Sequence, residues 1–361
     1  MSVLEIKPSF KNLQKIKYSR KQITKAGEKL LTSKSDTEIE EALNLINNWR
    51  TNHLHPLVVL KNNLLRLLTK NNIQPNLVSQ RLKRLTSIEY KLDLNPSMGL
   101  GGMQDIGGYR AVLKDVKDLK KLRDALSDQR INHKLEKIVD YVKNPKDTGY
   151  RSIHFVYKYS SIRDIFDGLK IELQIRTKLQ HNWATAVETA GIITRTSLKS
   201  NQGPDEWLDF FKVVSSLFAI KEKLPVMEEH KELTMEELMV KCYSYCQELN
   251  ILKKLKAIRV STNKIESDNF PGDYYLLNIN ITEMFVNIQI FNKNQFEYAT
   301  KQYLNLEKSI NENESAVVLV SATSIKTLKK AYPSYFLDTS EFIQAIEKMN
   351  SNCIEWEYIK N

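Results

Sequence analysis

The run Asn144-Pro145-Lys146-Asp147-Thr148-Gly149-Tyr150-Arg151-Ser152-Ile153-His154, with Lys170-Ile171-Glu172-Leu173-Gln174-Ile175-Arg176-Thr177 a short way downstream, decides how this chain is read. The first run is a Pro/Gly-punctuated loop that passes into an alternating segment from Ser152 to Tyr159, the pattern of a loop feeding a strand. In the second run Glu172, Gln174 and Arg176 lie two apart and therefore share one face of a strand. That face is polar, which a strand that only packs seldom needs. Tyr150 offers a flat ring to a base, while Lys146, Arg151 and His154 offer cationic or proton-donating tips that suit phosphate.

Upstream, Gln104 to Leu113 reads as a strand carrying Asp105 and, five residues on, Arg110. A helix from Val116 to Leu126 and a strand from Lys134 to Tyr141 follow, and beyond Glu172 a helix from Lys178 to Ala190 displays His181, Ala184 and Glu188 at helical spacing. The order βαβ, loop, β, β, α predicts a mixed sheet with helices packed on it, an α+β domain. Further upstream stand Arg81, Lys83, Ser87 and Lys91; Ser87 and Lys91 are four apart on one helix face, and the set suits a triphosphate. Gly99-Leu100-Gly101-Gly102 lacks the Gly-Lys-Ser/Thr ending of a P-loop and is expected to be a flexible loop.

Only helices are expected before this region: one over Ser19 to Leu30, one from Thr37 to Trp49 with Asp36 as its N-cap, and one starting at Pro56. His53 and His55 bracket the last break with no carboxylate or cysteine beside them, so they are expected to cap or pack the turn. The 361 residues, 42% of them hydrophobic, suffice for two domains with a core each. No apolar run approaches the roughly 18 to 20 residues that cross a membrane, and Met1 to Lys7 lacks a signal-peptide core, so a cytoplasmic protein is expected. Cys242, Cys246 and Cys353 are too few for a disulfide framework and read as packing residues. The net charge is +11, and the first 92 residues hold 17 Lys/Arg against 7 Asp/Glu. Such a concentration suits an extended polyanion, with a solvated basic surface as the alternative.

Pro204 to Lys223 reads as a helix ended by Pro225, and Thr234 to Ala257 as one long connector helix. The polar stretch Asn263 to Asn269 marks a domain joint. Beyond it, Tyr274 to Ile281 and Met284 to Phe291 alternate like paired strands, Gln295 to Ile310 is helical, and Val317 to Val320 is a short buried strand. A helix from Ser324 to Ala331, a turn from Tyr332 to Phe336 and a helix from Ser340 to Met349 complete a small α/β module without a convergent acid, base or nucleophile. The organisation expected is 1–225 (a basic helical segment 1–80 and a core 81–200), a connector over 226–262, and a regulatory domain over 263–361.

Four motifs in order over about 110 residues carry a resemblance. Arg81-x-Lys83 with Ser87-Ile88-x-x-Lys91, Asp105-x-x-Gly108-x-Arg110, Pro145-Lys146-x-x-Gly149-Tyr150-Arg151-Ser152-x-His154, and Glu172-x-Gln174-x-Arg176-Thr177-x-x-x-His181-x-Trp183-Ala184 resemble the synthetase domain of the RelA/SpoT alarmone family. The resemblance implies a nucleotidyltransferase-like sheet and transfer of the β,γ-pyrophosphate of ATP to a ribose hydroxyl. Arg81 and Arg110 would sandwich the adenine; Lys83, Ser87 and Lys91 would hold the phosphates; Asp105 and Glu172 would bind Mg²⁺; Glu172 would accept the hydroxyl proton. Lys146, Tyr150, Arg151, His154, Gln174 and Arg176 would form the acceptor site, with Tyr150 stacked on the acceptor base. No hydrolase half of the long family members is recognisable, which implies a synthetase-only form.

The wording Tyr18-Ser19-Arg20-Lys21, Ala26-Gly27-Glu28 and Asn48-Trp49-Arg50-x-x-His53-x-x-Pro56-Leu57 resembles the toxic small alarmone synthetases. This implies pyrophosphorylation of the 3′ CCA end of tRNA, with Lys17, Arg20 and Lys21 on the acceptor stem. Where many alarmone synthetases carry a second acidic residue and a histidine after the Trp-Ala pair, this chain has Thr185-Ala186-Val187-Glu188-Thr189, a departure that bears on GDP or GTP as acceptor. Ala331-Tyr332-Pro333-x-Tyr335-Phe336 resembles the antitoxin domain of the fused toxin/antitoxin type called CapRel, which implies that Tyr332 and Tyr335 shut the ATP site until a phage capsid protein binds.

Overall fold

Serine and glutamine three residues apart start the first helix of the computed structural model, which describes residues 18–194, 196–262, 272–280, 285–309, 315–321 and 339–355. Ser19 accepts from the Gln22 N–H at 3.2 Å and its own N–H donates to Gln22 Oε1 at 2.8 Å, a reciprocal cap that opens α1 (Arg20–Thr32). α2 spans Asp36–Asn52 with Ser35 as its N-cap. Asp36, expected as the cap, is instead the first helical residue, where a carboxylate complements the dipole. α3 (Leu54–Lys70) begins two residues before Pro56, because a first-turn N–H has no intrahelical partner to lose. His53 is buried edge-on to Trp49 at 5.1 Å and the His55 ring stacks on Phe166 at 4.5 Å, so both histidines pack the break.

A strand that the sequence did not mark comes next: β1 (Leu77–Leu82), with apolar residues on both faces in place of clean alternation. It pairs antiparallel with β2 (Gly107–Leu113), and α4 (Leu85–Asp93) lies between them in the chain. β2 starts three residues later than expected, so Asp105 sits in the turn ahead of it. α5 (Val116–Ser127) leads to β3 (Lys134–Asp140), β4 (Ile153–Lys158) and β5 (Lys170–Thr177). The sheet order is β1-β2-β5-β4-β3, with β2 and β5 parallel and every other pair antiparallel. The architecture is mixed α+β. One face of the sheet supplies Tyr109, Ala111, Phe155, Leu173 and Ile175 to a core shared with the helices before and between the strands.

Gly99 to Gly102 is a packed turn, contrary to the flexible loop expected. Leu100 and Gly101 are buried, and a Cβ on Gly101 would lie 2.3 Å from the Arg20 carbonyl oxygen of α1.

α6 (Lys178–Thr194) follows β5 directly and packs with α7 (Asp205–Glu222). The single connector helix expected over Thr234 to Ala257 is two helices, α8 (Met235–Glu248) and α9 (Ile251–Thr262). Asn250 breaks it at φ 51°, a conformation that asparagine tolerates better than most residues. β6 (Tyr274–Asn280) then forms an antiparallel sheet of order β7-β6-β8 with β7 (Phe285–Phe291) and β8 (Ser315–Ser321), with α10 (Phe296–Ser309) against it. The last helix, α11 (Ser340–Glu355), runs past the Met349 expected as its end, and it leaves this small sheet. Its Phe342, Ile343 and Ile346 are buried in a second core with α6 to α9, where Cys242, Cys246 and Cys353 also pack as free thiols. The joint at Asn263 to Asn269, the helix from Ser324 and the Tyr332 to Phe336 turn lie outside the described residues. Among the described residues no helix is long and apolar enough to cross a membrane.

The close approach at Gly101 makes a prediction: Gly101→Ala destabilises by about 1–3 kcal/mol through overpacking against α1. Thermal melting measures it, and a wild-type midpoint would mean that the turn yields freely.

Candidate active site

Strand register builds the site. Gly108 lies opposite Glu172, Arg110 opposite Gln174 and Val112 opposite Arg176 across the parallel pair, and Gln174 lies opposite His154 on β4. Partners in register point to the same side, so Arg110, Glu172, Gln174, Arg176 and His154 share the face away from the first core. Arg81 joins it from β1, opposite Gly108. Glycine at position 108 leaves the space between these side chains open.

Two carboxylates anchor the face. Lys83 Nζ donates to Asp105 Oδ2 at 2.8 Å and Lys91 Nζ to Oδ1 at 2.9 Å. Burial alone would raise the Asp105 carboxyl, but the two ammonium groups outweigh it and hold the group well below the usual carboxylate range. Glu172 Oε1 accepts from His154 Nδ1 at 3.0 Å and Oε2 from Gln174 Nε2 at 2.7 Å. Burial raises Glu172, His154 and Gln174 lower it, the nearby Asp105 charge raises it, and the balance is downward. Both acids are therefore ionised and feel each other's charge. Two hard oxygen donors of this kind fit Mg²⁺, which binds through one or two carboxylates and completes its shell with water and substrate phosphates. Among the described residues no three acidic, histidine or cysteine side chains gather as a closed metal site. An ionised carboxylate only accepts, so His154 Nδ1 carries the proton toward Glu172 and leaves Nε2 facing the Tyr150 hydroxyl at 3.0 Å.

The cations form a second group. Arg176 is buried, and burial followed by the charges of Arg110 and Arg81 drives its guanidinium down to about 9 against partial relief from Tyr150 and Glu188. It donates to Nδ1 of buried His181, whose imidazole is pushed well down by burial, Arg176 and Arg110. The Nε atoms of Arg110 and Arg176 are buried with no hydrogen-bond partner among the described residues. Ser87 stands half-buried on α4, one turn before Lys91.

Two expectations for the acceptor loop change. Arg151 does not face the site: it is 3% exposed, donates to Ser215 Oγ at 3.0 Å and to the Val142 carbonyl at 3.1 Å, and burial lowers it to about 10. It precedes β4, where strand alternation does not govern direction, and it bolts the loop to α7. Gly149 completes the bolt, with its carbonyl accepting from Ser215 Oγ at 2.6 Å and its φ of +85° in the left-handed region. Tyr150, expected to present an open ring, is 7% exposed and packs in the second core. The half-buried ring in this corner is Tyr141 at the end of β3, which sequence reasoning did not single out. It lies edge-on to Tyr150 at 6.1 Å, and exposed Lys146 sits 4.8 Å over it.

Arg20 and Lys21 are exposed in the first turn of α1, and Arg20 donates to the Gly168 carbonyl at 2.9 Å. Lys17, Tyr332 and Tyr335 lie outside the described residues. Sequence reasoning quoted Arg50 only within a motif and gave no role to it, to Tyr303 or to Glu307, which no local pattern links.

Because Arg151 is a bolt, Arg151→Met should cost about 1–3 kcal/mol by leaving Ser215 and the Val142 carbonyl short of a donor. Chemical denaturation reads this directly; a fully stable variant with weakened acceptor binding would restore the acceptor role.

Residues 80–194 match the family described as "Region found in RelA / SpoT proteins". The chain is 34% identical over 120 residues to a probable chloroplastic GTP diphosphokinase of Arabidopsis thaliana, which covers 32% of this chain and 15% of that protein. It is 30% identical over 84 residues to the GTP pyrophosphokinase YwaC of Bacillus subtilis (strain 168), 23% of this chain and 40% of that protein. The chain thus spans less than half the length of these relatives. Among solved structures, the small alarmone synthetase 1 from Bacillus subtilis aligns at 24% identity over 48% of this chain and 90% of its own, with a TM-score of 0.41. A GTP pyrophosphokinase family protein from Streptococcus pneumoniae aligns at 22% over 58% and 98%, also with a TM-score of 0.41. The stretch 80–194, which holds both anchoring carboxylates and the cations arrayed around them, is thus the part of the chain that is similar to the region found in RelA / SpoT proteins.

Proposed function

We propose that this chain transfers the β,γ-pyrophosphate of ATP to the 3′ CCA end of tRNA, as an antiphage toxin kept inactive by its C-terminal part until a phage capsid protein binds. The observation that carries the chemistry is the set of two ionised carboxylates, Asp105 and Glu172, beside Lys83, Lys91, Arg81 and Arg110. The acceptor hydroxyl oxygen attacks the β-phosphorus, the bond from that phosphorus to the oxygen bridging to the α-phosphate breaks, AMP leaves, and the hydroxyl proton passes to Glu172. His154 and Gln174 hold one Glu172 oxygen each, so the accepting lone pairs are aimed before substrate arrives. Arg81 and Arg110 flank the adenine; Lys83, Ser87 and Lys91 take the phosphates, with the two lysines shared between Asp105 and the triphosphate. Mg²⁺ held by Asp105 and Glu172 would supply neutralising charge at the phosphates.

The tRNA acceptor is supported by the 17 Lys/Arg against 7 Asp/Glu of the first 92 residues and by exposed Arg20 and Lys21. Synthesis of (p)ppGpp or (p)ppApp is the second reading, favoured by the names of the relatives, GTP diphosphokinase and GTP pyrophosphokinase. Incubation of the protein released from its C-terminal control by Tyr332→Ala with [γ-³²P]ATP, GDP, GTP and bulk tRNA decides: label in RNA supports the first, label in a guanosine or adenosine nucleotide alone the second. Inhibition is assigned to Tyr332 and Tyr335, which would stack on the ATP-site arginines at a gain of about 0.5–2 kcal/mol raised in effect by tethering. Cutting the chain before Asn269 would also strip α11 from the second core, so Tyr332→Ala in the full chain is the cleaner release, with toxicity in uninfected cells expected.

Asp105→Asn or Glu172→Gln should each lower transfer on the order of 100-fold or more while the protein still melts cooperatively. Near-normal turnover in either would remove that residue from the chemistry. Charge reversal at Arg20 and Lys21 should flatten the salt dependence of tRNA modification, and an unchanged slope would return that face to a solvated surface.

A further inference from the structure

Arg50 is wholly buried near the end of α2, and its hydrogen bonds divide into two sets. The first set belongs to its own part of the chain: Nε donates to the Lys83 carbonyl at 3.1 Å and Nη1 to Asn47 Oδ1 at 2.8 Å. These fix the plane of the guanidinium next to the residue whose ammonium clamps Asp105. The second set crosses to α10. Glu307 meets the outer edge of the fork in a bidentate pair, at 2.8 Å to Nη1 and 3.2 Å to Nη2, and the Tyr303 hydroxyl accepts from Nη2 at 2.5 Å. Glu307 Oε1 also accepts from the Leu85 N–H at 3.0 Å, at the start of the helix that carries Ser87 and Lys91. Arg50 and Arg81 line one cleft.

A planar fork held by its own domain, with its open edge satisfied by a carboxylate from elsewhere, is the geometry that binds phosphate oxygens equally well. We propose that Arg50 is a phosphate-binding subsite beside the 80–194 region, filled in cis by Glu307 while α10 is docked and by a substrate phosphate group when α10 leaves. This rests on the reading that the C-terminal part can release the site. A buried guanidinium stripped of its counter-charge is costly, so the two anions exchange instead of leaving the fork bare. Phosphate ligands and α10 docking then oppose each other reciprocally.

The test uses full-length protein and inorganic pyrophosphate, read by calorimetry, and needs no turnover, so it stands apart from the assay of the pyrophosphotransferase reading. Glu307→Gln keeps the shape and removes the competing charge; pyrophosphate should bind it at least tenfold more tightly than wild type. Arg50→Lys in the same background, checked for a cooperative melt, should lose that gain, because an ammonium cannot present the fork; if this double variant does not fold, Asn47→Ala, which frees the fork from its anchor, takes its place with the same expected loss. Equal binding to wild type and Glu307→Gln, including no binding to either, overturns the proposal. So does a gain that survives the second substitution, which would place the anion at Lys83 and Lys91. Repeating the titration with ATP and with a short RNA duplex identifies the source of the phosphate, as the one whose gain depends on Arg50.

Discussion

The parallel pairing of β2 with β5 is the constraint on which the site depends. It sets Gly108 opposite Glu172 and Arg110 opposite Gln174, and from there the polar face follows by alternation. A slip of one residue would turn Glu172, Gln174 and Arg176 into the first core and bring Leu173 and Ile175 out, so burial of the opposite face enforces the register of the polar one. Stability and site geometry are thus specified by the same strand pairing. The parallel connection must cross over, and the chain uses that crossover for α5, β3 and β4, which delivers His154 beside Glu172.

Electrostatics on this face is a division of labour. Asp105 and Glu172 remain charged although burial disfavours it, because each oxygen has its own donor. Around Arg176 the balance is different: burial and the charges of Arg110 and Arg81 oppose its own charge, and Tyr150 and Glu188 relieve it in part. One half of the face pairs its carboxylates with donors, and the other gathers guanidinium groups of the kind that suit an anionic or π-rich ligand.

Legibility from sequence followed the range of the interactions. Glu172, Gln174 and Arg176 were readable because strand alternation is local and strict. Arg151 was not: it stands in a loop, where residue type says nothing of direction, and only the distant Ser215 fixes it. Tyr150 was readable as an aromatic beside the site but not as a buried one, since its cover comes from the helices that follow. The break at Asn250 hid beneath an apolar periodicity that runs on through both helices. Arg50 and Glu307, 257 positions apart, share no pattern that a window can capture.

The return of α11 to the second core has a mechanical consequence. The chain leaves the helical layer through α9 and comes back through α11, and these two helices touch, with Lys256 paired to Glu347. The small sheet and α10 are therefore strung between two anchors on one layer, like a flap sewn along a single hem. Were the flap to lift as proposed above, both of its ends would stay tied to that layer and its re-closure would be a unimolecular event. Under the release proposed above, a molecule that held the flap open would have to remain bound, so the duration of the open state would be set by the residence time of that molecule.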